Sequence, residues 1–138
     1  MADDSLWVEV VSADGRVWEG EALSVIARTT EGDIGILPHH EPFLAVLVPC
    51  AAEILSPGEG REIVAVDGGF MSVSDNRVSI LSQYARLAKT ISLNEAEKEL
   101  AAATKALDRG DIDEETRRHF NRATAQVKAA QKATSGMR

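Results

Sequence analysis

The chain has 138 residues, enough for one sizeable core or for a core with a small appendage. It is 44% hydrophobic, yet no apolar run approaches the ~20 residues of a membrane-crossing helix, and its single cysteine, Cys50, excludes an internal disulfide and a cysteine-built zinc site. The net charge is −7 and uneven: residues 1–90 carry 14 acids and 6 bases (net −8), residues 91–138 carry 8 and 9 (net +1), and an acidic body argues against nucleic acid as a partner.

The start, Met1-Ala-Asp-Asp-Ser5, is acidic. It is neither basic and apolar like a secretory leader nor Arg-rich like a transit peptide, so a bacterial cytoplasmic setting is expected. Seven short apolar or alternating runs then follow: Leu6–Val11, Leu23–Arg28, Phe43–Val48, Ala52–Leu55, Ile63–Val66, Phe70–Val73 and Val78–Leu81. Turn signals separate them, among them Ala13-Asp-Gly15, Glu31-Gly-Asp33, Pro57-Gly-Glu-Gly60, Gly68-Gly69 and Ser74-Asp-Asn76. Evenly spaced strands with such turns predict an antiparallel sandwich or barrel over residues 1–90. Strand side chains alternate, so Leu6, Val8 and Val10 should share its inner face. Cys50 is expected as a small buried hydrophobe.

One stretch stands apart. Glu31-Gly-Asp-Ile-Gly-Ile-Leu-Pro-His-His-Glu-Pro-Phe-Leu44 places two glycines, two prolines, two histidines and three acids around one apolar triplet. It reads as a shaped loop with a polar apex, and such loops carry function more often than strands do. Pro38 and Pro42 restrict the backbone there, which lowers the ordering cost of meeting a partner.

Near Thr90 the period changes. Ser92-Leu-Asn-Glu95 matches a capping box, in which Ser92 takes a free amide and Glu95 reaches back. Leu93, Ala96, Leu100, Ala103 and Leu107 then form a narrow helical stripe that ends at Asp108-Arg-Gly110. Asp111-Ile-Asp-Glu-Glu115 opens a second helix with acids at its positive end, and its stripe is Thr116, Phe120, Ala123, Val127 and Ala130. Residues 91–138 therefore predict an antiparallel helical hairpin, and the whole chain an α+β fold. Half of the stripe is Ala or Thr, so the seam buries little apolar area and suits a hairpin able to leave its docked position. Arg117, Arg118, Arg122, Lys128, Lys132 and Arg138 follow Thr116 with no acid among them. Six cations without partners inside the chain call for an acidic protein surface, and Arg118, Arg122 and Lys128 are expected to share one face outside the seam.

Motifs for chemistry are missing. There is no phosphate loop, no G-x-G-x-x-G and no H-E-x-x-H, and Cys50 has no triad pattern around it. His39 and His40 are adjacent and would point apart, so metal binding is not expected. Glu114 and Glu115 read as dipole partners of their helix. Aromatics form only 4% of the chain, which disfavours a sugar-binding pocket. A general adaptor with a regulatory hairpin is a nearer alternative than such a pocket.

The run Gly32-Asp-Ile-Gly-Ile-Leu-Pro-His-His-Glu-Pro-Phe-Leu44 resembles the signature loop of epsilon subunits of bacterial F-type ATP synthases. Val10-Val-Ser-Ala13, Val17-Trp-Glu-Gly20, Ala65-Val-Asp-Gly-Gly-Phe70 and the hairpin turn Gly110-Asp-Ile-Asp113 fall in the order of that family. The resemblance implies a sandwich of about ten strands followed by two helices. It implies a rotor subunit of the central stalk that performs no chemistry and needs no cofactor, placed peripherally at the cytoplasmic face of the bacterial membrane through the complex alone. The sandwich would bind the gamma subunit, and the signature loop would rest on the c-ring through Glu31, Asp33, His39, His40 and Glu41, with Pro38 and Pro42 holding that loop. His40 matches the family histidine, and His39 stands where many relatives have a glycine or another residue. The hairpin would inhibit ATP hydrolysis by meeting the beta (and alpha) subunits through Arg117, Arg118, Arg122, Lys128 and Lys132. Some relatives bind ATP through [IL]-D-x-x-R-A. Here Ser92 replaces the acid and Glu95 the arginine in Ile91-Ser-Leu-Asn-Glu-Ala96, and a carboxylate repels phosphate.

Overall fold

The structure is a computed structural model that describes residues 4–58 and 60–135. Ten strands precede two helices: β1 (Leu6–Ser12), β2 (Gly15–Ala22), β3 (Ser24–Thr29), β4 (Gly32–Ile36), β5 (Phe43–Leu47), β6 (Cys50–Ser56), β7 (Gly60–Val66), β8 (Gly69–Ser74), β9 (Arg77–Leu81), β10 (Ala85–Leu87), α1 (Leu93–Asp108) and α2 (Glu114–Ser135). This is the expected α+β order, a β body followed by a two-helix region. The strands run β10-β7-β6-β3-β5-β8-β9-β1-β2, with β4 on β3. β3 meets β5 only at Thr29↔Leu47, so the sheet turns over at that pair and its two halves close on one core as a nearly complete barrel. All the pairings are antiparallel except β1 with β9, which is parallel, Val8 facing Val78 and Val10 facing Ile80.

Period-two alternation builds the core. Leu6, Val8 and Val10 are fully buried while Trp7 and Glu9 between them are partly exposed. Each such buried aliphatic side chain contributes roughly 1.5–3 kcal/mol relative to exposure. Val25, Ile54, Val64, Met71, Val73, Val78 and Ile80 complete the same core from the other strands. Cys50 lies at its edge, buried as expected, and burial pushes its thiol pKa up. Gly69 is required where it stands. Its φ is +108°, and a Cβ there would collide with the backbone carbonyl oxygen of Leu81 across the sheet.

The helices begin and end where the sequence signals them. Ser92 caps α1, its hydroxyl accepting from the Glu95 backbone N–H at 3.3 Å. The return half of the capping box, from Glu95 to the Ser92 amide, is not formed among the described residues. At the other end Gly110 takes φ +90°, and the Gly110 and Asp111 amides bond back to Leu107 and Ala106 as a left-handed cap requires. Asp113 starts α2 by accepting from the Thr116 amide at 3.1 Å, and hydrogen bonds from Thr116 hold its carboxyl below the usual range.

Seam residues Ala96, Ala103, Ala123, Val127 and Ala130 are buried. Helix α2 buries a second face as well. Ala125 and Ala129 pack with Ile63 and Ala65 of β7 and with Ala88 in the short helical turn after β10, flanked by Ala51, Ile91 and Ala133. The resting position of the hairpin is therefore against β6 and β7, held by a small-residue interface that lets helix and sheet approach closely.

Candidate functional site: an apex loop and a docked basic helix

The signature stretch is not one loop. Gly32–Ile36 forms strand β4, paired with β3, so the polar residues lie at its two ends. Glu31 sits in the β3–β4 turn and Asp33 lies near the start of β4 opposite Arg28, whereas Pro38, His39, His40, Glu41 and Pro42 make the β4–β5 connection. The extended chain from Asp33 to Pro38 separates the groups by roughly 15 Å. The expectation of a single polar apex is corrected on this point, because the Ile34 and Ile36 alternation is strand periodicity. Asp33 is also engaged within the chain: its carboxylate accepts from Arg28 Nε at 2.8 Å, and this bond holds the Asp33 carboxyl below its usual range.

The true apex is a tight turn over Leu37–His40, closed by the His40 amide donating to the Leu37 carbonyl at 3.2 Å. Pro38 at the second position and a positive φ of 70° at His39 give it the form of a type II turn. That geometry favours glycine, and His39 holds a left-handed backbone that is costly for a residue with a Cβ. The His39 amide donates to the side-chain oxygen of Asn76. His40 donates from Nδ1 to the Glu41 carbonyl at 2.7 Å, and its ring meets Phe43 edge-on at 5.9 Å. A carbonyl only accepts, so Nδ1 carries the proton in this contact. His39, His40, Glu41 and Pro42 line a shallow depression with Asp75 and Asn76.

The cations of α2 are not a free set. Arg118 pairs with Glu114 at 3.0 Å, Arg122 approaches Asp67 at 3.9 Å and lies over the Tyr84 ring, and Lys132 reaches Glu53 at 3.6 Å. The expectation of six cations without internal partners is corrected: acids of the barrel and of the helix start already engage three of them. Arg117 and Lys128 have no ion pair among the described residues, and Arg138 lies outside those residues. Nor do Arg118, Arg122 and Lys128 share a face. Arg118 and Arg122 flank His119, while Lys128 and Lys132 stand over β3 and β6, because Lys128 lies six residues and about 240° around the helix from Arg122.

A network fastens α2 to the barrel. Arg61 donates to Glu53 at 2.7 Å and to the carbonyl of Lys132 at 2.8 Å, and Gln126 donates to the Tyr84 hydroxyl at 2.8 Å. Burial raises the Glu53 carboxyl, but the Arg61 hydrogen bond and the Lys132 charge outweigh it and hold the group below its usual value. Burial also pushes the Tyr84 hydroxyl up.

Comparison with known proteins decides the family. Residues 5–88 match the family model described as ATP synthase, Delta/Epsilon chain, beta-sandwich domain. The ATP synthase epsilon chain of Cutibacterium acnes is 48% identical over 111 residues, covering 80% of this chain and 76% of that one. The chain belongs to the ATP synthase epsilon-chain family. The epsilon chain of Thermobifida fusca is 43% identical over 129 residues, 91% of each chain, so the relation extends into the helices. A chain of the Euglena gracilis mitochondrial ATP synthase shares the fold with a TM-score of 0.74 at 22% identity, covering 97% of this chain and 83% of that one. A chain from the central stalk and c-ring of the Tetrahymena thermophila enzyme does so at 0.56 and 18%, over 97% and 99%. As an epsilon chain it is a non-catalytic, central-stalk subunit of ATP synthase.

Two features of this epsilon chain escaped sequence reasoning. Asn76 joins three elements: its side chain holds the apex turn and its carbonyl accepts from the Trp7 amide at 2.8 Å. Asp75 and Asn76 both have positive φ, 51° and 60°, which is the hairpin turn that Asn tolerates and that the Ser74-Asp-Asn76 signal announces. The second is an apolar outer face. Val46, Phe70 and Leu81 are opposite one another across β5, β8 and β9, with Leu44 beside them, and Leu44 and Phe70 are 71% and 52% exposed. No helix among the described residues is long and apolar enough to cross a membrane.

Proposed function

We propose that this chain couples rotation to ATP synthesis by standing between the gamma subunit and the c-ring, and that its hairpin restrains ATP hydrolysis. On this reading residues 1–90 are the binding body and residues 91–138 the regulatory unit. The observation that carries the reading is the pairing of two unlike surfaces on one barrel of this family. The apex turn offers His40, Glu41 and a prolyl-stiffened backbone, which suits the polar loops of a membrane ring. The Leu44–Val46–Phe70–Leu81 face offers a contiguous apolar row, which on a soluble fold marks a protein interface, and gamma is the partner assigned to it. Glu31 and Asp33 stand at the far end of β4, so the ring contact rests on residues 38–42 alone. Attachment to the membrane is peripheral, through the complex.

The inhibitory part of the proposal rests on α2. Its exposed arginines, Arg117 and Arg118 beside Arg122, lie at the end of the helix away from the Arg61 anchor, and its interfaces are small and alanine-rich. Release from the barrel frees Arg122 and Lys132 from Asp67 and Glu53 and makes them available to an acidic segment of the beta subunit. Site-directed crosslinking in the assembled enzyme, with Cys50→Ala as background, tests the placement. His40→Cys should link to the c subunit and Leu44→Cys to gamma. Exchange of those partners, or linkage to neither, would overturn it.

A further inference from the structure

A crevice of about 300 Å³ separates α2 from the barrel at the edge of β3, β4 and β6. Arg28, Asp33, Cys50, Ala51, Lys128 and Lys132 line it. Three cationic residues thus line one space with a single lining carboxylate, a local excess of +2 in a chain of net charge −7. Packing like charges together is unfavourable unless a counter-charge completes them. The lining acid does not do so. Asp33 takes up only the Nε of Arg28, which leaves the Nη edge of the guanidinium unengaged. Lys128 has no ion pair among the described residues. Outside the crevice, Glu53 is shared between Lys132 at 3.6 Å and Arg61 at 2.7 Å, so with both of these residues included the excess is still +2.

We infer that this crevice binds a phosphate group, with the Nη edge of Arg28, the Lys128 ammonium and the Lys132 ammonium as its donors. The chemistry favours phosphate over other anions. A guanidinium edge and two point cations match a compact tetrahedral dianion carrying several acceptor oxygens. The volume accommodates an orthophosphate or pyrophosphate unit, and no aromatic ring lines it on which a nucleobase could stack. Lys128 and Lys132 lie one helical turn apart on the same face of α2, so one anion reaches both while touching β3. An occupied crevice therefore ties the helix to the sheet. The site is separate from the start of α1, where Ser92 and Glu95 stand, and it does not depend on the placement of the chain in a rotor.

The test is a titration of the full-length, isotope-labelled chain with sodium phosphate at fixed ionic strength, followed by amide chemical shifts, with pyrophosphate and ATP as parallel arms. Saturable shifts are expected at Arg28, Cys50, Lys128 and Lys132, at an affinity of roughly millimolar, the range open to a few water-exposed charge contacts. Lys128 is exposed and tolerates replacement. Lys128→Glu should weaken binding at least tenfold and Lys128→Ala by less. Saturation by orthophosphate identifies a free-phosphate site. Saturation only by pyrophosphate or ATP, at these same residues, identifies a polyphosphate source. Shifts that grow linearly, spread over the surface, appear with none of the three ligands or persist unchanged in Lys128→Glu overturn the inference.

Discussion

Replacing Arg61 with alanine should loosen α2 without touching its own sequence. Arg61 makes a 2.7 Å bond to Glu53 and a 2.8 Å bond to the Lys132 carbonyl, and both charged side chains are mostly shielded, 27% and 19% exposed. Hydrogen bonds to a charged group contribute about 1.5–3 kcal/mol each when well formed. Lys132 remains 3.6 Å from Glu53 after the change, so part of the charge compensation survives. The expected loss is about 2 kcal/mol, or about a 30-fold rise in the opening of α2. Native-state hydrogen exchange measures it at the amides of residues 125–133, which face the barrel or follow that face. A cycle with Glu53→Gln should return a coupling of about 1 kcal/mol or more. Unchanged exchange in α2 together with a coupling near zero would mean that the helix is held by its alanine faces alone, and the ionic anchor would have to be abandoned.

Further outcomes follow from the same geometry. His39→Gly should raise stability by up to about 1 kcal/mol in urea denaturation, because a left-handed φ is relieved; a loss of stability would contradict the turn assignment. Glu53 is held below its ordinary value in the folded chain, so its stabilising share is complete above the ordinary glutamate range near pH ~4.3 and is lost as pH falls through the lower folded value. Urea midpoints should therefore be flat from pH 7 to about 5 and drop below about pH 4, with a shallower drop in Arg61→Ala. Replacing His40 and Glu41 together by alanine should leave the fold within about 0.5 kcal/mol and the soluble ATPase intact while lowering proton-driven synthesis in reconstituted vesicles. Removal of residues 91–138 should raise ATP hydrolysis by the soluble catalytic head, and an unchanged rate would reduce the hairpin to a brace.

The seven strands read from the sequence are the interior ones, and they became β1, β3 and β5–β9. The three that escaped reading are β2, β4 and β10, and each pairs with one neighbour only. An edge strand is half exposed, so its pattern is diluted by charge and glycine: Gly-Arg-Val-Trp-Glu-Gly-Glu-Ala in β2 and Gly-Asp-Ile-Gly-Ile in β4. Missing β4 is what merged two turns into one loop and placed Glu31 and Asp33 beside His40. The α2 seam was legible because Phe120, Ala123, Val127 and Ala130 follow the helical period. The second face of α2 carried a signal too, Ala125, Ala129 and Ala133 at successive turns, but alanine reads equally as a helix former in solvent. The partners of Arg118, Arg122 and Lys132 were split between cases. Glu114 is visible as an i, i+4 pair, whereas Asp67 and Glu53 are brought in by tertiary docking that no local pattern records. The sequence marks Asn76 only as a turn residue, since its bond to the His39 amide joins positions 37 residues apart.

The central claim, that this epsilon chain stands between gamma and the ring, is met most directly by purifying the tagged full-length chain from detergent-solubilised membranes and identifying what accompanies it. The account predicts gamma and the c subunits in fixed proportion to the chain, and the loss of gamma when Leu44 and Phe70 are both changed to Asp in the apolar face. Recovery of the folded chain without gamma or the c subunits would contradict it.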